Sequence, residues 1–424
     1  MSAREAMRLR IIMPRRLPNE SATVKGLDRP AGRLGLAGQG FLQARPECFL
    51  PSFHVGMSQE KCRWGILGSA GIAQKNWQSI RNAGNAELVA VASRDVGRAQ
   101  DFIDRCSARV PHPATPKAIG SYDEMLANEE IDAIYLPLPT GLRAEWAIKA
   151  AQAGKHLLCE KPCGIDLAEL DEILAACKEA GVQFMDGVMF MHSARLKDLR
   201  QTLDDGKSVG KLRRIATQFS FCAPEEFLTE NIRMHSDLEP QGCMGDLGWY
   251  NLRFILWAMN YQVPRAVTGR LLNASGRSDS PKPVPTEFSG EVFFDGDVSA
   301  SYYCSFLTEH QQFAHLSGTK GNVRIDDFVL PFYGNRIGLT VSNANFDCDV
   351  CDFRMERRDA QVSTEEYSSS HPTAQESKLF RTFSDLVLGG QPDSHWPDVT
   401  RLTQRTLMAC LESAQKGGSE VSLA

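Results

Sequence analysis

The chain has 424 residues, 42% of them apolar and 23% charged, and 47 basic against 52 acidic residues leave a net charge of -5. That length implies two or three domains at about 100–200 residues each, and the apolar share excludes wholesale disorder. The acidic balance disfavours a protein built around nucleic-acid phosphates, and no run of about 18 apolar residues exists to span a membrane.

The stretch up to residue 57 stands apart. It carries nine basic and four acidic residues, so it is +5 while the remainder is -10. Gly and Pro interrupt it, and it has neither helical nor strand period. Arg15-Arg16 lacks the apolar stretch that an export signal needs. A dispensable tail or a misassigned start, with Met57 opening the protein proper, is the expectation here. The twelve cysteines mostly sit in apolar runs, which suits free thiols in a reducing cytoplasm better than a disulfide framework. Cys348-x-x-Cys351 has metal spacing but no second pair, so it reads as two strand residues and no metal site is expected.

From Arg63 onward, short apolar runs alternate with helix-period segments. Strands are expected at RWGIL, ELVAVAS, DAIYLPL, HLLCE and QFMDGVMF, with a short one near Lys117–Ile119. Helices are expected at Ile72–Asn82, Val96–Cys106, Tyr122–Asn128, Leu142–Ala153 and Leu167–Ala180, with Ser121 as a cap and Gly154 and Gly181 as stops. Six buried strands separated by helices predict a doubly wound parallel sheet of the Rossmann type over residues 60–189. Residues 190–424 read differently. Longer alternating strands at 211–222 and 291–306 (a hairpin turning at Asp295-Gly296), NVRIDDFVL and 346–358 predict an α+β domain on a large, mainly antiparallel sheet. Helices at Gln375–Leu388 and Arg401–Ala414 close it.

The turn after the first strand, Gly68-Ser69-Ala70-Gly71-Ile72-Ala73, is a GxGxxG/A loop with Ala70 at the second glycine. Small residues there let the backbone approach a pyrophosphate at a helix N-terminus. The second strand ends Ala92-Ser93-Arg94, where an NAD site wants an acidic group for the ribose. A hydroxyl and a guanidinium suit the 2′-phosphate of NADP; the alternative is NAD, with Asp95 taking the ribose.

Two further motifs complete an ordered set: Cys159-Glu160-Lys161-Pro162 at the fifth strand, and GCMGDLGWY at 242–250. With the glycine loop, they resemble the Gfo/Idh/MocA oxidoreductases from about Arg63 to Leu423, the tyrosine at 250 being similar to the glucose–fructose oxidoreductase, dihydrodiol and xylose dehydrogenase branch. The residues make chemical sense for hydride exchange at a carbinol carbon. Tyr250 can trade the hydroxyl proton if a nearby ammonium such as Lys161 lowers its pKa towards neutrality. Asp246, four residues before Tyr250, falls on the same helix face and can orient Lys161. The resemblance implies that Pro137, Thr140, Arg143, Glu160, Lys161 and Pro162 border the nicotinamide, with a cis bond before Pro162. Arg143 stands where the family often has His. His192, Arg195, Arg233 and His235 are candidate substrate contacts. The resemblance further implies a sugar or polyol as small-molecule substrate and a homodimer or higher homo-oligomer. Two rival readings share the fold: a glycosidase that uses tightly held NAD, and a non-catalytic cofactor sensor.

Overall fold

A computed structural model describes residues 60–423; the expectations for the tail lie outside them. Strands β1 (Cys62–Leu67), β2 (Ala86–Ala92), β3 (Lys117–Ile119), β4 (Ala133–Leu136), β5 (His156–Cys159) and β6 (Phe184–Asp186) form one sheet in the order β3-β2-β1-β4-β5-β6. All pairs are parallel. Helices α1 (Gly71–Ala83), α2 (Val96–Ser107), α3 (Tyr122–Leu126), α4 (Arg143–Gln152) and α5 (Leu167–Ala180) connect the strands. Local signals set their ends: Asp95, Ser121 and Asp166 each accept a first-turn N–H, and Gly181 closes α5 in the left-handed region. The strand order reverses between β1 and β4, so a crevice opens beyond the carboxyl ends of those two strands.

The second sheet has nine strands in the order β14-β13-β12-β11-β7-β10-β9-β8-β15. They are β7 (Leu212–Cys222), β8 (Ala266–Ser275), β9 (Val284–Phe294), β10 (Val298–Ser305), β11 (Leu307–Gly318), β12 (Asn322–Ile325), β13 (Arg336–Asp349), β14 (Asp352–Glu365) and β15 (Val421–Ser422). Every pair is antiparallel except β7 with β10. The Asp295-Gly296 turn joins β9 to β10, with Gly296 and Asp297 both at positive φ. Strict alternation of burial along β9 marks the face turned to the core. That face is covered by α8 (Trp249–Ala258) and α10 (His395–Gln415), while α6 (Arg195–Asp204) and α7 (Glu225–Glu230) flank it. Strand β8 and strand β11 escaped the sequence reading because burial does not alternate along the exposed half of β8, and the exposed start of β11 is mostly polar. Cys351 lies in the turn between β13 and β14 rather than in a strand.

One element crosses between the two parts of the chain. The closing helix α9 (Gln375–Leu388) does not join the second sheet; it packs on α1 and on the outer face of β1. Leu379, Phe380 and Phe383 share an apolar cluster with Trp64, Trp77 and Phe102. The Trp64 and Phe380 rings meet edge to face at 5.1 Å, and Trp64 Nε1 donates to Ser384 Oγ at 3.0 Å. A helix from beyond residue 190 thus supplies a cover that the first sheet's own helices leave open. Phe380 is fully buried, so Phe380→Ala is expected to destabilise the protein by about 3–5 kcal/mol. Urea unfolding at constant m-value measures this; a loss below about 1 kcal/mol would show that α9 is not part of the core.

Candidate active site

The crevice beyond β1 and β4 deepens into a cleft of about 850 Å³ bounded by both sheets. At its first end, Gly68 turns with φ +119°, where a Cβ would meet Leu138 Cδ2 at 2.9 Å, so only glycine fits. Ala70 is the residue before α1, and no side chain caps that helix's first N–H groups. A Cβ on Gly71 would meet nothing within 4 Å. Ala73 is buried, its N–H bonded to Ala70 O at 3.0 Å. An uncapped helix start facing open space, with no acidic residue in its first turn, fits the pyrophosphate of a dinucleotide.

Ser93 is buried at the end of β2, with its Oγ 3.5 Å from Ser69 Oγ. Asp95 is turned back into its own helix, where Oδ1 accepts from Arg98 N at 3.0 Å. Arg94 is exposed. Burial pushes the Tyr122 phenol up, and the charges of Arg94 and Arg98 oppose that rise. Arg98 lines a small pocket together with Ser69 of the glycine loop. Arg98 was not singled out from the sequence; its one signal is its place one turn into the helix after Ser93-Arg94.

The loop after β4 brings Pro137 to the cleft, whereas Thr140, expected there too, is fully buried and does not line it. Arg143, 3% exposed, turns inward: Nε donates to Leu138 O at 3.1 Å, and the guanidinium also donates to Pro162 O. It thereby ties the β4 loop to the β5 loop, and the positive charge is directed at carbonyl oxygens. Thr140 is clamped by Glu239, which accepts from its N–H at 3.1 Å and its hydroxyl at 2.6 Å. Gly141 passes so close to Asp237 O that a Cβ would lie 1.9 Å away. Glu239 belongs to no motif, and nothing in the sequence marks it.

At the end of β5, Glu160 Oε1 accepts from Tyr135 OH at 2.6 Å, and the Lys161–Pro162 bond is cis. Lys161 Nζ donates to Asp246 Oδ1 at 2.8 Å and to Asp246 O at 2.6 Å. The other carboxylate oxygen of Asp246 lies 2.8 Å from Arg233 Nε. Asp246 sits in a π-helical turn, Met244–Gly248, that leads into α8, where Trp249 N bonds back to Met244 O. The wide turn keeps Asp246 and Tyr250 on the cleft side together. Burial alone would raise the Asp246 carboxyl, but Arg233 and Lys161 outweigh it and hold the group well below the usual range.

Tyr250, 6% exposed, packs on Phe190 and Phe219 with ring centroids at 6.1 and 5.6 Å. Its phenol is pushed well above its ordinary value by burial, then by Glu160 and Asp246. The expected fall towards neutrality is not what these surroundings favour. Lys161 Nζ lies over the ring, 4.7 Å from its centroid, and is itself neutralised by Asp246.

Of the four candidate substrate contacts, Arg233 alone reaches the cleft. His192 stacks on Trp396 at 5.0 Å, and its Nε2 is buried without a hydrogen-bond partner among the described residues. Arg195 is buried in an ion pair with Asp327 and donates to Gly338 O at 3.2 Å. His235 Nδ1 accepts from Asp237 N at 3.2 Å within its own turn. In each case a local partner or stacking face takes the side chain away. The histidine that does border the cleft is His310, on β11.

The comparisons agree with this architecture. Residues 62–188 match the family described as "Oxidoreductase family, NAD-binding Rossmann fold", and residues 196–324 match the "GFO/IDH/MocA C-terminal domain". The chain belongs to the Gfo/Idh/MocA family and is an NAD(P)-binding oxidoreductase. A D-xylose 1-dehydrogenase (NADP(+)) of Haloferax volcanii is 27% identical over 84% of this chain and 98% of its own length. The mouse (Mus musculus) trans-1,2-dihydrobenzene-1,2-diol dehydrogenase is 28% identical over 63% of this chain and 76% of its own. In fold, a 3-ketoreductase from Actinomadura kijaniata, crystallised with NADP and TDP-benzene, superposes with a TM-score of 0.69 at 23% identity. That superposition covers 84% of this chain and 98% of the other.

The misplaced histidine has a measurable consequence. Burial, with Arg253 and Lys378 nearby, lowers the His192 pKa to about 3, against about 6.5 in an unfolded chain. The unfolded state therefore binds the proton first. The stabilisation is complete above about pH 6.5 and is lost as pH falls towards 3, at up to about 1.4 kcal/mol per pH unit. In His192→Phe this slope should vanish from urea-unfolding free energies measured between pH 7 and 4. An unchanged slope would mean that the ring is not held neutral.

Proposed function

We propose that the protein is an NADP-preferring dehydrogenase or reductase acting on the CH–OH or carbonyl group of a sugar-like or polyol-like substrate. The observation that carries this is the convergence of Lys161, Asp246 and Tyr250 at a cleft whose other end is an uncapped helix N-terminus. When bound, the dinucleotide supplies the nicotinamide carbon that exchanges a hydride with substrate. Gly68, Ser69, Ala70, Gly71 and Ile72 would hold its pyrophosphate, and Pro137, Glu160 and Pro162 would border its nicotinamide end. Tyr250 donates a proton to the carbonyl oxygen in reduction and takes one back in oxidation. A raised phenol pKa keeps that donor protonated at neutral pH, which favours the reductive role. Lys161 spends two of its three N–H donors on Asp246 and has one left for the substrate oxygen.

The preference for NADP is supported by Arg94 and Arg98 beside Ser93, and by the commitment of Asp95 to its helix, which removes the acidic ribose acceptor. The relatives that use or bind NADP by name point the same way. We further propose a homodimer through the second domain and a cytoplasmic setting, in keeping with the free buried thiols.

Tyr250→Phe should leave dissociation constants for NADP near native while turnover, followed at 340 nm, falls by about 10²–10⁴-fold. Near-native turnover would remove Tyr250 from the chemistry. In turn, Arg94→Ala should weaken NADP binding by about tenfold and barely touch NAD, the loss of one charge-assisted hydrogen bond. Equal effects on both cofactors would deny it the discriminating role.

A further inference from the structure

We infer that the outer edge of β14 is a self-association surface, on which a second copy of this chain lays its own β14 antiparallel, with Met355 on the two-fold axis. This rests on the homodimer reading above and names the surface that forms it.

Strands β13 and β14 pair along their whole length, from Arg336 opposite Glu365 to Asp349 opposite Asp352. β14 ends the nine-stranded sheet, and no strand among the described residues lies on its other side. Every residue from Ala344 to Gln361 is exposed, so the far half of the pair is a bare ribbon. Two strands alone are marginal in water, and an open backbone edge is a template for another strand. The two faces of the ribbon differ. Cross-strand partners point to the same face, so Phe346 with Met355 and Cys348 with Phe353 make one face. Asn345 with Glu356, Asp347 with Arg354 and Asp349 with Asp352 make the other. Phe346, Phe353 and Met355 are 62%, 76% and 73% exposed, and the two phenyl rings stack at 5.6 Å. An edge defended against pairing carries charge on both faces; this one is apolar on one of them.

The charges select the occupant and the register. When two identical strands pair antiparallel about a two-fold axis, the residue on the axis faces its own copy, and residues equally far to either side of it face each other. With Met355 on the axis, Arg354 faces Glu356 of the second copy and Asp352 faces Arg358 of the second copy, each pair occurring twice. On the other face the two Met355 side chains meet between the two Phe346 rings, and Arg357 comes beside Phe353 of the second copy. Other centres do worse. An axis at Arg354, Glu356 or Arg357 sets that charge against itself, and one at Phe353 leaves Asp352 with Arg354 as the one charged pair within β14. Arg354, Arg357 and Arg358 pair at present with Asp349, Asp359 and Glu356 of their own ribbon, at the surface, where such contacts are weak and exchange readily. A strand of unrelated sequence has no cause to match this series of signs, whereas a second copy matches it by symmetry.

The test is sedimentation equilibrium of the full chain and its variants, joined to cross-linking by a short bis-maleimide. The native chain should sediment as a dimer. Arg354→Glu sets like charges opposite twice over and should raise the dimer dissociation constant roughly tenfold, and Arg354→Glu with Glu356→Arg should restore it. Met355→Lys, which puts two ammonium groups face to face on the axis, should weaken the dimer at least as much. All these side chains are exposed, so the variants should keep the native melting temperature. For cross-linking, Cys48 and the exposed Cys222, Cys348 and Cys351 are first replaced by serine. Met355→Cys should then join two copies. Gln361→Cys should not, because its two copies lie roughly 40 Å apart along the paired strands. A dimer indifferent to Arg354→Glu and Met355→Lys, or one joined through Gln361→Cys, would overturn the edge pairing and leave the homodimer standing. A full chain that stays monomeric while one opening at Met57 dimerises would give the edge to the first segment of the chain and overturn the second copy as its native occupant. A monomer in both forms would overturn the edge pairing and the homodimer reading together.

Discussion

The site depends on one buried carboxylate. Asp246 is shared by Lys161 from the first sheet and Arg233 from the loop ahead of α8, so one negative charge fixes two cations that would otherwise repel. A buried charge in this position is tolerable because both of its oxygens and its own backbone carbonyl are engaged. Removing one member strands the others, typically at about 3–5 kcal/mol, so the three are best treated as a unit. What the triad sets is the electrostatics of Tyr250. The ammonium that would have lowered the phenol pKa is neutralised, and Asp246 and Glu160 add to the rise that burial starts.

A second buried pair, Asp186 with Arg253, fixes the helix that carries Tyr250. Both side chains are fully buried. Arg253 on α8 reaches back to the last strand of the first sheet and donates to Thr403 Oγ1 on α10 at 2.8 Å, while Trp249 Nε1 donates to Asp186 Oδ2 at 3.3 Å. One carboxylate thus locks strand β6 and helices α8 and α10 together. Helix α8 is held against both sheets through charge and hydrogen bonds, with the aromatic contacts of Phe190 and Phe254 filling the space around them. The Lys161–Asp246 contact then spans 2.8 Å between the first sheet and the turn that leads into α8.

Much of the first sheet was legible because its signals are local. Buried apolar runs, a cap such as Ser121 and a stop such as Gly181 each act within a few residues, and the observed elements follow them closely. The ordered motifs likewise led to Lys161, Asp246 and Tyr250, since each lies at a fixed offset in a loop or turn. What could not be read was anything that depends on a partner far along the chain. The docking of α9 on β1 joins residues some 300 positions apart, and an amphipathic helix does not announce which sheet it will cover. His192 and Arg195 looked available because Trp396 and Asp327, which engage them, lie more than 130 residues away. The sign of the Tyr250 shift was missed for the same reason: proximity of Lys161 was legible, but its neutralisation and the approach of Glu160 were not.

Asp246 is expected to raise the Tyr250 phenol. With 13Cζ-labelled tyrosine, the Tyr250 resonance can be assigned by its loss in Tyr250→Phe and followed with pH in the native protein and in Asp246→Asn. The native resonance should titrate above those of exposed tyrosines, and its midpoint should move down in Asp246→Asn, where the negative charge is gone and two cations are released. A midpoint that is ordinary in the native protein, or that stays where it is when Asp246 is neutralised, would contradict it.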